Sequence, residues 1–436
     1  MREFVSHKCE NINQFKQNMV ELCANFECAV ILNSNNYSET TNWFNTPSNY
    51  DFLAGIDAIK EPCNHFKNLQ PFAKESKDWL FGYIGYDAKN SIEHHLTSKN
   101  RNSIGFDEVH FFEPRFVVIG HKDSVKIGFL PNENSKEEVL ELILKLENGE
   151  KKTTESVTES TINQTVTKTK YTKTVNTIKD HILKGDVYEL NYCIEFNGEK
   201  IALNPSHVYN DLTTLSPTPF SAFLKQNNRY LLSASPERYI KKYGQKIISQ
   251  PIKGTAKRGA TAQLDKQLIS DLKNSPKEQA ENIMITDLVR NDLSRIAKRG
   301  TVRVEELLAV YSFPQVHQLI STVSAQVKEN INWVDILTAT FPMGSMTGAP
   351  KIKAMQLIDQ YEVTKRGLYS GAVGYITPEG NFDFNVVIRS LLYNAENQSL
   401  SFMVGSAITA SSDAESEYEE CLLKASALLK VINGKL

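Results

Sequence analysis

The sequence predicts an α+β protein with a large, mostly antiparallel β-sandwich core and helices packed outside. Apolar strand-like runs outnumber what simple βαβ alternation supplies. Two of them, 111–120 and 125–130, are separated only by His121-Lys122-Asp123-Ser124 and read as a hairpin. Helical spacing recurs between the strands, most clearly after residue 171. At 436 residues the chain can bury a sizeable core without disulfides or metal staples.

The N-terminal part, about 1–146, looks mixed. Residues 28–32 are an apolar run stopped by Asn33-Ser34-Asn35-Asn36, a strand and a turn. Residues 79–86 suggest a strand whose glycines allow close backbone approach. Residues 136–146 form an amphipathic helix. The stretch 147–170 is rich in Thr, Ser, Lys and Glu and reads as a linker. Beyond it, 171–436 is expected to form one catalytic domain. Val175, Ile178 and Ile182 give a helix over 171–184 that Gly185 ends. Strands follow at 188–195, 220–224, 229–233 and 239–243. A long helix over 275–296 has Ser275 at its N-cap, Pro276 at N1 and Glu278 placed to complete a capping box. Helices over 333–340, 352–360 and 413–432 alternate with strands at 371–376, 384–392 and 400–404.

Composition excludes several classes. Lys plus Arg number 49 and Asp plus Glu 51, so the net charge of −2 argues against a broadly basic nucleic-acid surface. No run approaches the ~20 apolar residues of a membrane span. The first residues lack a signal-peptide layout. Six dispersed Cys without a C-x-x-C pair fit a reducing cytoplasm better than a zinc ribbon.

Several residue groups could carry chemistry. Glu278 and Glu281 share one helix face, as do Glu417 and Glu420, with Lys424 one turn on. Facing each other, these carboxylates would hold a hard cation such as Mg²⁺. Alone, Glu278 could merely close a cap and the 415–420 run be a solvated face. Lys253, in Gln250-Pro251-Ile252-Lys253-Gly254-Thr255, could be a nucleophile, an anion ligand or an ordinary edge-strand lysine. As a nucleophile it must first lose a proton, since a free lysine titrates near ~10.4. The segment 341–351, F-P-M-G-S-M-T-G-A-P-K, fails the P-loop spacing. His317 could be a catalyst or a satisfied, partly buried histidine.

Taken in order, these motifs resemble the chorismate-utilising enzyme family. They are Ser235-Pro236-Glu237-Arg238, the P-I-K-G-T strand, 275–292, 341–351, R-G-L-Y-S-G-A-V-G-Y at 366–375, V-V-I-R-S at 386–390 and E-Y-E-E at 417–420. The resemblance is dense after the linker. It is looser before it, through I-L-N-S at 31–34 and F-G-Y-I-G-Y-D at 81–87. It implies that family's sandwich fold and a Mg²⁺ cofactor held by Glu281 and Glu420, with Glu278 and Glu417 supporting. It implies Glu237 as general acid and then base. Tyr369, Arg389 and Lys424 would hold substrate carboxylates, assisted by Thr255 and the backbone near Gly405. His317 would lie near the substrate ring.

Lys253 resembles the para-aminobenzoate branch, where it would form a covalent adduct at C2 of chorismate. The anthranilate and isochorismate enzymes usually carry Ala there. The implied partners are chorismate, ammonia from a separate glutamine amidotransferase subunit, and tryptophan near Leu32-Asn33-Ser34. No nucleic acid or membrane is implied. An anthranilate-forming enzyme and a non-catalytic chorismate- or tryptophan-binding paralogue remain alternatives. Two departures stand out. Glu189 follows Gly185-Asp186-Val187-Tyr188 where ammonia-using members usually have Gln. Gly405-Ser406-Ala407-Ile408 replaces a G-G-G-I or G-A-G-I loop.

Overall fold

The computed structural model describes residues 2–37, 50–149, 160–314 and 316–435. Two antiparallel sheets form the core. The larger has 12 strands. It runs from Glu3–Lys8 at one edge through Cys28–Asn33, Phe220–Gln226, Arg229–Ser235, Ser390–Asn394 and Ser399–Ile408 to Glu189–Gly198 and Gly348–Ala349. The smaller has nine, with Ile252–Lys257, Val316–Gln326, Lys246–Gln250, Arg238–Tyr243, Phe382–Asn385, Ala372–Ile376, Leu80–Ile84 and Val109–Phe112 in that order. Strands from before and after residue 171 share both sheets. Leu32 faces Ala222 across one ladder and Tyr83 faces Val373 across another.

Period-two alternation explains why the run at 28–32 is almost wholly apolar. Cys28 and Val30 point between the sheets, while Ala29 and Ile31 point to a second core under the outer helices. The inner core joins Val30, Leu224 and Leu231 of the larger sheet to Phe81, Ile240 and Phe384 of the smaller. Each such residue contributes about 1.5–3 kcal/mol over its exposed state. The helix Pro276–Ile296 packs Ile285, Val289, Leu293 and Ile296 into this core. Its first two turns, carrying Glu278 and Glu281, are thereby fixed beside Ile252–Lys257. The helix Ala414–Val431 buries Tyr418, Cys421, Ala425 and Leu428 in the other core, with Asp413 as its N-cap.

Three local expectations are corrected. The single strand expected over 384–392 is two strands in different sheets, Phe382–Asn385 and Ser390–Asn394. Its apolar residues are buried except for the half-buried Ile388, so periodicity alone hides the crossover. Part of 147–170 is structured. Ser160–Thr161 pairs with Gly434–Lys435, Asn163–Gln164 joins the larger sheet, and the helix Lys168–Leu183 begins there; 150–159 lie outside the described residues. At the long helix Ser275 Oγ accepts from the Glu278 N–H at 3.4 Å, but the Ser275 N–H donates to Leu272 O, leaving the Glu278 carboxylate out of the cap.

Candidate active site

The site grows from two adjacent crossovers between the sheets. One is Ser235-Pro236-Glu237, between Arg229–Ser235 and Arg238–Tyr243. The other is 386–389. They brace each other: the Val386 N–H donates to Glu237 O at 3.0 Å and the Ala234 N–H to Arg389 O at 3.1 Å. Arg389 has φ of +51°, a left-handed conformation that a non-glycine residue holds only under constraint. Glu237 and Arg389 are thus presented together where the sheets meet.

Lys253 enters from the smaller sheet. Its strand slips register against Val316–Gln326 between Ile252 and Thr255, a bulge that re-aims the side chain. Gly254, at φ +89°, makes the bend. A Cβ there would lie 2.9 Å from Glu278 Oε2, so glycine also lets the long helix approach. The Lys253 ammonium, 10% exposed, lies 2.8 Å from Glu189 Oε1, itself 1% exposed. Burial opposes the charge on Lys253. Glu189, Glu281 and Glu237 outweigh it and raise the lysine above its ordinary value. Glu237 is buried, and burial pushes its carboxyl up to about 7 despite a hydrogen bond from Ser345 and the nearby Lys253 and Arg389. A carboxyl poised there can give and retake a proton at neutral pH.

The four expected metal ligands gather, with a lysine among them. Lys277 Nζ is 3.0 Å from Glu417 and 3.9 Å from Glu281. Glu420 pairs with Lys424 at 2.7 Å. Among the described residues the one tight His, Cys or carboxylate triplet is instead His7, Cys9 and Glu147, by the edge strand Glu3–Lys8. The glutamates nevertheless leave one oxygen without a hydrogen bond. Glu281 Oε1 is buried with no hydrogen-bond partner. Burial lifts the Glu281 carboxyl to about 7, while burial and the charges of Glu420 and Glu417 also raise Glu278. An all-oxygen set of this kind fits Mg²⁺.

Tyr369 is buried with its hydroxyl 4.0 Å from Cys193 Sγ. Gly405 lies opposite Cys193, and a Cβ there would meet its sulfur at 2.5 Å, so glycine is required. Lys424 Nζ donates to Gly405 O at 2.9 Å. Thr255 is exposed on the Lys253 strand. His317 is fully buried with both ring nitrogens engaged, Nδ1 with Ser312 Oγ and Nε2 with Asp265, each at 2.8 Å. That arrangement makes it a brace between strand and helix. Sequence reasoning missed Ser345, which steadies Glu237 from the 341–351 segment, and Lys277, whose place beside Glu278 was the available signal. Leu32-Asn33-Ser34 lines a cavity of about 90 Å³ with Tyr50, Arg238 and Asp383.

A family model described as chorismate binding enzyme matches residues 25–430. An anthranilate synthase component I-like protein of Synechocystis sp. is 34% identical over 380 residues, 86% of this chain and 77% of its own length. Aminodeoxychorismate synthase component 1 of Escherichia coli is 38% identical over 265 residues, 61% of this chain and 58% of its own. The crystal structure of anthranilate synthase component I from Streptococcus pneumoniae superposes with a TM-score of 0.71 at 28% identity, covering 81% of this chain and 80% of that one. The chain belongs to the chorismate binding enzyme family. No helix among the described residues is long and apolar enough to cross a membrane.

Proposed function

We propose that this chorismate binding enzyme aminates chorismate at C4, giving 4-amino-4-deoxychorismate for para-aminobenzoate and folate synthesis. The observation that carries the reading is Lys253, its side chain only 10% exposed and aimed by a bulge into the same site as Glu237. The naming of the Escherichia coli relative as aminodeoxychorismate synthase component 1 supports it. That relative's designation as a component also supports a separate glutamine amidotransferase subunit delivering ammonia. Lys253 attacks C2 as the 4-hydroxyl leaves with a proton from Glu237. Ammonia then adds at C4 and expels the lysine. Two successive displacements give a reason for a nucleophile at this position. Arg389, Tyr369 and Lys424 hold the substrate carboxylates, with Thr255 and the Gly405 backbone assisting and His317 fixing the strand. Mg²⁺ held by Glu281 and Glu420, supported by Glu278 and Glu417, would supply positive charge to the ring carboxylate and favour loss of the hydroxyl.

Purified protein given chorismate, Mg²⁺ and ammonium is expected to form the 4-amino product, with a lysine adduct at residue 253 detectable by mass spectrometry. Accumulation of anthranilate would overturn the reading in favour of the anthranilate-forming alternative. Tryptophan in the Leu32–Ser34 cavity is a further proposal, supported by the nearby Arg238, Lys241 and Asp383 charges. Calorimetric titration with tryptophan tests it, and a flat titration removes it.

A further inference from the structure

Glu189 is the one site residue that departs in charge from the pattern its neighbours follow, and the structure gives it two distinct oxygens. Oε1 faces the Lys253 ammonium at 2.8 Å. Oε2 is buried and has no hydrogen-bond partner. A carboxylate only 1% exposed should not leave an acceptor empty, because a buried charged group without a partner is destabilising. Its own strand fixes the backbone that carries it. Glu189 pairs with Ala349 on one side, and the next residue, Leu190, pairs with both Gly348 and Ile408. The carboxylate is buried at that ladder end, away from bulk water. The charged groups facing it are Lys253 and, beyond it, Glu281. The missing partner is a small donor, water or an amine, that fits beside a lysine.

We propose that Glu189 positions both amines of the reaction, Oε1 holding Lys253 and Oε2 holding the incoming ammonia. This rests on the amination reading above. In the first displacement Lys253 passes one proton to Glu189 Oε1. Its lone pair forms the C2–nitrogen bond, and the C4–oxygen bond breaks onto the hydroxyl, which takes the Glu237 proton and leaves as water. In the second, the ammonia lone pair forms the C4–nitrogen bond and the C2–nitrogen bond breaks back onto Lys253. Glu189 then returns its proton to Lys253, and the product ammonium reprotonates Glu237. Glu189 is a positioning residue for ammonia, and its carboxylate can take up and return a proton where an amide cannot.

The test is steady-state kinetics of Glu189→Gln and Glu189→Asp with ammonium chloride as nucleophile, on protein whose melting transition matches the wild type. Glu189→Gln is expected to raise the KM for ammonium on the order of 10-fold or more, the size of a lost charge-assisted hydrogen bond. The KM for chorismate should move far less, and Glu189→Asp should recover part of the loss. An unmoved ammonium KM in Glu189→Gln overturns the proposal. So does a change confined to the Mg²⁺ requirement, which would assign Oε2 to the metal. Failure of the wild type to aminate chorismate would show before any variant is made, and would remove the amination reading and this proposal together.

Discussion

One strand, Glu189–Gly198, borders two buried ion pairs that differ in kind. Behind it, Arg366 and Glu362 satisfy each other completely. Arg366 Nε and Nη2 reach Glu362 at 2.9 and 2.6 Å, Nη1 donates to Met346 O at 2.6 Å, and Nη2 donates to Asn191 O at 2.9 Å. The Cys193 N–H donates to Glu362 at 2.9 Å, and the guanidinium lies 4.4 Å from the centre of the Tyr86 ring. In front, Lys253 and Glu189 share one 2.8 Å contact and leave an oxygen empty. A saturated pair specifies structure, since every partner is spoken for. An unsaturated one keeps capacity for a ligand, at a cost in stability that the surrounding sheets absorb.

Lys253→Ala should break the reactive pair most severely. We expect kcat to fall on the order of 10³-fold or more, as when a nucleophile that works as part of a unit is removed. Retained melting temperature and chorismate binding would show that only chemistry was lost, while intact turnover would end the nucleophile assignment. Glu362→Ala attacks the other pair. It strands a buried guanidinium and should cost about 3–5 kcal/mol, read as a lower urea midpoint. A loss of turnover without loss of stability there would erase the distinction between the two pairs.

The pH profile sharpens the comparison further. Glu237 must carry a proton to act as acid, and its carboxyl titrates at about 7, so kcat should decline above that pH, by about tenfold per unit at the limit. Glu281 must lose its proton to bind a cation, so the Mg²⁺ requirement should rise as pH falls below about 7. Rates flat from pH 6 to 9 would contradict the Glu237 assignment, and a Mg²⁺ requirement unchanged below pH 7 the Glu281 assignment. The smallest effect is expected from Lys277→Met. Removing an ammonium 39% exposed should lower the half-saturating Mg²⁺ concentration, by about 2- to 5-fold. A rise would make Lys277 a partner of the metal site instead of its competitor.

Much of the site was legible because its motifs are local. Ser275 and Pro276 start a helix by capping chemistry, and three-residue spacing places Glu278 with Glu281 and Glu417 with Glu420 on shared faces. Lys253 was visible as a candidate nucleophile, but the bend at Gly254 that aims it came only with the structure. The crossover at 386–389 was hidden because an apolar run buried in both sheets looks like one strand. Lys277 was overlooked because a lysine at a helix start is commonplace, and its nearest counter-charge, Glu417, comes from another helix. Glu189 was visible as an oddity, but its partner lies on a distant strand.

By itself the sequence determined the antiparallel α+β class, the family resemblance, and which residues could act as acid, nucleophile and metal ligand. The class follows from periods of two and 3.6 residues, which act over a few neighbours, and the roles from side-chain chemistry together with the resemblance. The tertiary structure decided which of them meet. Two crossovers bring Glu237 to Arg389, a bulge turns Lys253 toward Glu189, and burial moves the Glu237 and Glu281 carboxyls to about 7. Burial, register and the pairing of remote charges belong to the packed sheets and helices, so no window of sequence contains them.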